Sequence, residues 1–284
     1  MTLHHARGVI ELDRCLVMGI VNRTPDSFFD GGRMDLGASV AYAQQLVDEG
    51  ADILDLGAVK AGPGEDVSTE EEVERLVPLV GALGDSGVPL SIETSRPEIA
   101  QQALDAGAAI VNDVGALADP DLADVCSARG AGLILMHNGG QIRGRPRSPT
   151  YEDIVRAVID EWHRLAAIAN EHGVPNERIV VDAGLDFGKN TFHSLELVRR
   201  LDEQVAQPWP VLVAPSRKDV VGETLALPLE ERLEGTLALV ALAVTAGAAI
   251  VRVHDVKAAV RTVRMVEAVM GTRKPIAPVR GLWD

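Results

Sequence analysis

Aromatic residues make up only 3% of this 284-residue chain, and cysteine occurs just twice. So few rings exclude a core organised by aromatic stacking and leave branched aliphatics to fill the interior. Cys15 and Cys126 match no metal-ligand spacing. That excludes a cysteine-built metal centre, and two lone thiols read as reduced core residues of a cytoplasmic protein. No apolar run approaches the roughly 20 residues that cross a bilayer. The opening Met1–Gly8 has neither the basic nor the apolar region of an export signal, and His4 and His5 within it read as a frayed terminus. Basic residues are outnumbered, 27 Lys and Arg against 42 Asp and Glu, for a net charge of -15. Such a field repels nucleic acid and anionic membranes, so an anionic ligand must be held by a local cluster of cations.

Against these absences stand eight short runs rich in Val, Ile and Leu: Leu16–Val21, Ile53–Leu56, Pro89–Ile92, Ala109–Val111, Gly132–Met136, Ile179–Val181, Val211–Val213 and Ile250–Val253. They are nearly continuous in apolar residues, as strands buried on both faces are. The spacing predicts amphipathic helices over Ser39–Glu49, Thr69–Leu83, Glu98–Ala106, Leu122–Ala128, Tyr151–Glu171, Ser194–Val205, Leu229–Thr245 and Val256–Met270. Thr69–Leu83 follows an Asp/Ser/Thr-rich cap and opens with three glutamates, which suits the positive end of a helix dipole. Gly50-Ala51, Gly107-Ala108, Gly130-Ala131 and Gly247-Ala248 each precede a strand, a joint that puts a left-handed glycine just past a helix. One βα unit repeated eight times without a break in composition predicts a TIM (β/α)8 barrel, with residues 1–284 as a single unit. A doubly wound open sheet is the competing fold. No G-x-G-x-x-G follows any predicted strand, so its dinucleotide-binding form lacks support.

The end of each strand carries polar residues that a packed core would not want. In chain order they are Asn22, Asp55, Glu93, Asn112, His137, Asp182, the run Ser216-Arg217-Lys218, and Arg252 with His254. Singly each reads as a cap or a satisfied structural group, as Asp113 and Asp255 do. Together, at one end of a barrel, they surround a single mouth, where active sites of this architecture lie. Lys218, Arg252 and His254 follow the last two strands and suit a diphosphate, Arg by its fork and Lys as a point charge. Asn112 and Asp182 offer the donors and acceptors that the edge of an aminopyrimidinone ring needs. Two glycine-bearing loops, Asn22–Gly32 and Gly57–Val67, have room to close over a ligand. Arg143-Gly144-Arg145-Pro146-Arg147 reads as a solvated basic rim, and Gly184–Lys189 lacks the spacing of a Walker loop.

At these residues the chain resembles the dihydropteroate synthase family. The likeness is carried by MGIVNRTPDSFFDGG at Met18–Gly32, GADILDLG at Gly50–Gly57, VDAGLDFGK at Val181–Lys189, SRK at Ser216–Lys218 and RVHD at Arg252–Asp255. The resemblance implies a (β/α)8 barrel, a homodimer, and a folate-pathway transferase that joins p-aminobenzoate to a dihydropterin bearing a CH2-pyrophosphate. It implies Mg2+ on the pyrophosphate with Asn22 as its protein ligand, and Asn22, Arg252 and His254 as pyrophosphate contacts. Glu93, Asn112, Met136, Asp182, Phe187 and Lys218 would form the pterin pocket, with Asp182, Lys218 and Arg252 as the catalytic set. The implied reaction is dissociative, so a carboxylate near the pterin-methylene cation is needed and Asp182 is the candidate.

Three departures from the family pattern bear on activity. The second loop, usually Gly-Glu-Ser-Thr-Arg-Pro-Gly, reads Ala58-Val59-Lys60-Ala61-Gly62-Pro63-Gly64, so its Thr and Arg are Ala61 and Gly62. Glu93 stands where the family has Asp, and Asp219 replaces the Ser that usually follows SRK, which puts negative charge beside the expected p-aminobenzoate carboxylate. The favoured reading is a homologue that binds the pterin pyrophosphate while condensing p-aminobenzoate weakly or not at all. Two readings stand beside it: a working synthase with an unusual second loop, and a pterin-binding methyltransferase-type domain. Lys218, Arg252 and His254 speak against the last, which has no pyrophosphate to hold.

Overall fold

The computed structural model describes residues 1–23, 35–59, 67–140 and 150–280. Its frame is a closed barrel of eight parallel strands: β3 (Leu16–Asn22), β4 (Ile53–Gly57), β5 (Leu90–Glu93), β6 (Ile110–Asp113), β7 (Gly132–Met136), β8 (Ile179–Asp182), β9 (Val211–Val213) and β10 (Ile250–Val253). Each pairs with its neighbours in chain order, and β10 closes onto β3, with Arg252 beside Met18. The (β/α)8 expectation therefore holds.

Strand side chains alternate between two apolar environments. Leu54 and Leu56, Val111, Leu133 and Leu135 pack outward with the helices. Leu16, Met18, Ile53, Ile110, Ile134, Val180, Leu212 and Ile250 form a separate cluster inside the barrel. The polar residues of Asp55, Asn112, Asp182 and Arg252 each lie two positions beyond a member of that inner cluster. Period-two alternation therefore turns them inward, one layer nearer the C-terminal mouth.

The N-terminal mouth is stoppered. Strands β1 (Thr2–His5) and β2 (Gly8–Glu11) form an antiparallel hairpin, and Leu3, fully buried, joins the inner cluster together with Ile10 and Leu12. The frayed terminus expected at His4 and His5 is thus corrected. The hairpin is held because the barrel floor needs an apolar cover and Leu3 supplies it.

Ten helices lie among the described residues: α1 (Leu36–Asp48), α2 (Thr69–Ala82), α3 (Pro97–Ala106), α4 (Asp121–Arg129), α5 (Ile154–Glu171), α6 (Thr191–Arg199), α7 (Leu201–Val205), α8 (Asp219–Leu225), α9 (Leu233–Ala246) and α10 (Val256–Val269). The Ser68 side chain caps α2 by accepting from Glu71 N, ahead of the acidic first turn. Gly50, Gly107, Gly130 and Gly247 all have positive φ, as the repeated glycine joint requires. Several boundaries differ from expectation, among them the starts of α1 at Leu36 and α9 at Leu233. The stretch 194–205 breaks into α6 and α7 at Arg200. The expected helix from Tyr151 begins at Ile154, because Asp153 caps it by accepting from Val155 N and Arg156 N. Short α8, starting at Asp219, was not foreseen.

Candidate functional site

The upper interior layer is a charged network centred on Asp55, which is fully buried. Its Oδ1 accepts from Ser91 Oγ at 2.6 Å, and its Oδ2 accepts from Asn112 Nδ2 at 3.1 Å and from Arg252 Nε at 2.6 Å. Arg252 Nη2 donates to Glu93 Oε2 at 2.6 Å. Glu93 and Asn112 are register partners on adjacent strands. Burial lowers the Arg252 pKa, but Asp55 and Glu93 outweigh it and leave a net rise. Burial pushes Glu93 up to about 7 against the pull of Arg252. The structure therefore brings Glu93, Asn112 and Arg252 together through Asp55.

A second group lies on the β8 and β9 side. Asp182 Oδ1 accepts from Gly184 N at 2.8 Å, which fixes the carboxylate at the start of the following loop. Lys218 Nζ donates to Leu185 O at 2.7 Å and sits 5.0 Å from the Phe187 ring centroid, a cation–π contact. Burial lowers the Lys218 pKa, while Asp182, Asp186 and Glu93 raise it and Arg252 lowers it further. Both groups thus share one electrostatic environment. Met136, a register partner of Asp182, is buried, whereas Phe187 is only half-buried beside Lys218.

Other candidates turn out differently. His254 Nδ1 lies 2.9 Å from Ser216 Oγ, and burial, reinforced by Arg252, holds its pKa down to about 4. It is a neutral polar contact at pH 7, not a cation. Arg217 forms a bidentate pair with Asp255, 2.9 Å on each arm, and belongs to the framework. Asp113 caps its own loop, accepting from Gly115 N and Leu117 N, so Asp113 and Asp255 are structural, as expected. Asp219, expected to repel a carboxylate substrate, is paired with Arg232 Nη1 at 3.0 Å. The negative charge foreseen there is compensated.

Lys189 ends a run that lacks Walker spacing, yet it is buried at this end of the barrel. Its Nζ reaches His137 Nδ1 at 2.8 Å, His137 O at 3.1 Å, Gly184 O at 3.0 Å and Phe187 O at 2.8 Å. Burial lowers its pKa to about 7. The only available signal was a lysine ending a glycine-rich run directly after a strand.

Asn22 ends β3, and a Cβ placed on Gly57 would come within 2.9 Å of its Oδ1. Glycine at 57 therefore leaves room around that amide oxygen. Among the described residues no group of three or more His, Cys, Asp or Glu is disposed to hold a metal. A single amide oxygen fits Mg2+ that arrives on substrate phosphates and keeps its waters, not a resident ion. The substituted loop positions Lys60, Ala61 and Gly62, the greater part of the first loop, and the basic rim Arg143–Arg147 lie outside the described residues. None of the described helices is long and apolar enough to cross a membrane.

The sequence profile of the family described as pterin binding enzyme matches residues 18–254. The chain is 47% identical over 281 residues to the inactive dihydropteroate synthase 2 of Mycobacterium leprae (strain TN), covering 96% of this chain and 97% of that protein. It is 39% identical to the dihydropteroate synthase of Bacillus subtilis (strain 168), covering 91% and 90% of the two chains. The Yersinia pestis dihydropteroate synthase, solved with a sulfonamide drug complex, superposes with a TM-score of 0.91 at 36% identity, covering 96% of this chain and 100% of that one. The Burkholderia cenocepacia dihydropteroate synthase, complexed with 7,8-dihydropteroate, gives a TM-score of 0.87 at 35% identity, with 95% and 97% covered.

Proposed function

Because the chain belongs to the pterin binding enzyme family and is a homologue of dihydropteroate synthase, we propose that it binds dihydropterin pyrophosphate and forms dihydropteroate poorly or not at all. The observation that carries this reading is the unequal state of its mouth. On one side Asp182 and Lys218 share one electrostatic environment beside a half-exposed Phe187 ring, with Asn112 held on the neighbouring Asp55 network, a set suited to the edge and face of a flat aminopyrimidinone. On the other, the arginine meant for pyrophosphate is bound by two carboxylates. The name of the Mycobacterium leprae relative, an inactive synthase, agrees with this.

In this reading Asn112 and Asp182 hydrogen-bond the pterin edge and Lys218 donates to a ring acceptor. Met136 and Phe187 line its faces. Asp182 is the carboxylate nearest the methylene where positive charge develops as pyrophosphate leaves, and the Gly184 amide holds it in place. Asn22 would contact Mg2+ carried on the pyrophosphate, and that ion would neutralise the leaving group. Arg252 and His254 would face the phosphates, His254 as a neutral donor. The protein would act in the cytoplasm as a homodimer through its late helices, where Leu242, Met265, Val269 and Met270 are exposed.

Calorimetric titration with dihydropterin pyrophosphate and Mg2+, followed by p-aminobenzoate, tests the reading. Binding of the first and little of the second is expected. Turnover equal to that of the Bacillus subtilis synthase under the same conditions would overturn it, in favour of a working synthase. Loss of pterin binding in Asp182→Ala is expected to be at least tenfold, and an unchanged affinity would remove Asp182 from the site.

A further inference from the structure

Arg252 and Glu93 come from strands on either side of β3 and β4, and the guanidinium crosses the mouth to reach both acidic partners. Arginine recognises phosphate best through a pair of parallel N–H bonds along one edge of its planar fork. Here the edge formed by Nε and Nη2 is divided, with Nε donating to Asp55 and Nη2 to Glu93, each at 2.6 Å. Asp55 has further roles, accepting from Ser91 and Asn112, so it is a fixed part of the framework. Among the described residues the Glu93 side chain hydrogen-bonds to Arg252 alone, and its carboxylate, at the end of β5, is nearly but not wholly closed from solvent. Ionised, it leaves two acidic groups against one guanidinium, and an arriving pyrophosphate meets local negative charge.

We propose that Glu93 is a specificity-determining residue that competes with pyrophosphate for the side-on fork of Arg252. This rests on the pterin-site reading above, which places phosphates near Arg252. Glu93 acts through the guanidinium: its carboxylate takes a position that a phosphate oxygen needs. The weakened step is capture of the diphosphate; among the ring-binding groups, Asn112 shares Asp55 with Arg252, whereas Asp182 and Lys218 have their hydrogen bonds elsewhere, to Gly184 N and Leu185 O.

Inorganic pyrophosphate with Mg2+ isolates this contact from the pterin. Calorimetry should show wild-type protein binding it weakly, with Glu93→Gln and Glu93→Asp both tighter by about tenfold, the scale of one charge-assisted contact. Glutamine removes the charge at the same length, and aspartate keeps the charge but shortens the reach. Thermal melts identify which variant is folded, and either one suffices. Adding Arg252→Ala to each variant should abolish the gain. Equal affinity in wild type and a folded variant, or a gain that survives Arg252→Ala, overturns the proposal. A parallel titration uses hydroxymethyl-dihydropterin, which lacks the pyrophosphate. Failure of that ligand to bind wild type counts against the pterin-site reading and leaves the pyrophosphate comparison intact.

Discussion

Lys189 Nζ lies 2.8 Å from Nδ1 of His137, 52 residues earlier in the chain, and ties the loop after β8 to the end of β7. The same ammonium donates to Gly184 O and Phe187 O. It therefore holds the turn that follows Asp182 and the backbone of the ring that faces Lys218.

Replacing Lys189 with Met should take the ammonium away from Phe187 O and His137 O, while Gly184 O keeps the Phe187 amide as a donor. Relief from burying a cation offsets part of the loss. The expected net cost is about 2 kcal/mol, read by urea denaturation, together with weaker binding of hydroxymethyl-dihydropterin as Phe187 loses its tether. Wild-type stability and affinity in this variant would show that the contact is dispensable.

His137, buried, and His254, half-buried, set an acid limit. Burial holds His137 down to about 3 and His254 down to about 4, below the ordinary 6.5. As pH falls below 6.5 the unfolded chain takes up protons that the native imidazoles refuse, so stability drops through that window. Asp113, raised to about 6 by burial, acts oppositely, because its native form takes a proton before the unfolded form does. Comparing wild type with His254→Asn isolates the histidine contribution. The variant should lose about 2 kcal/mol less between roughly pH 7 and 4.5, and parallel stability curves would refute the assignment.

Leu3→Ala tests the stopper at the N-terminal mouth. Leu3 is fully buried against the inner cluster, so its truncation should cost about 3 kcal/mol by denaturant unfolding. Affinity for hydroxymethyl-dihydropterin, bound at the opposite end, should not change. A cost below about 1 kcal/mol would mean that the hairpin covers the floor only loosely.

Asp219→Ser examines the repulsion expected from the sequence. With Arg232 at 3.0 Å compensating the charge, the substitution alone should not raise condensation of p-aminobenzoate. It should cost about 1 kcal/mol from loss of a partly exposed pair. A clear rise in turnover would restore Asp219 as an obstacle to the substrate.

Much of the architecture was readable because strand burial and helix periodicity write themselves directly into hydropathy. The joint glycines and all eight barrel strands lie where patterning puts them. Expected strands ended one residue short at Ile92 and Val181, because hydropathy stops at the first charge while the ladder continues through Glu93 and Asp182. Polar strand ends indicated the mouth, but partners could not be read. Which carboxylate takes Arg252 depends on side chains meeting across the barrel from positions 197 and 159 residues away. Lys189 is illegible in sequence for a related reason, since its two contacts with His137 span 52 residues and only the fold assembles them, although Gly184 and Phe187 are close in sequence.

The barrel is divided along its axis into an apolar floor, sealed by Leu3, and a charged ceiling. Apolar packing on that floor, and outside the barrel against the helices, holds the fold together, while the charged groups gather in the upper storey. A lineage can therefore retire its chemistry by small exchanges at the rim without losing the scaffold, and a folded, soluble descendant is no proof that the ancestral reaction survives.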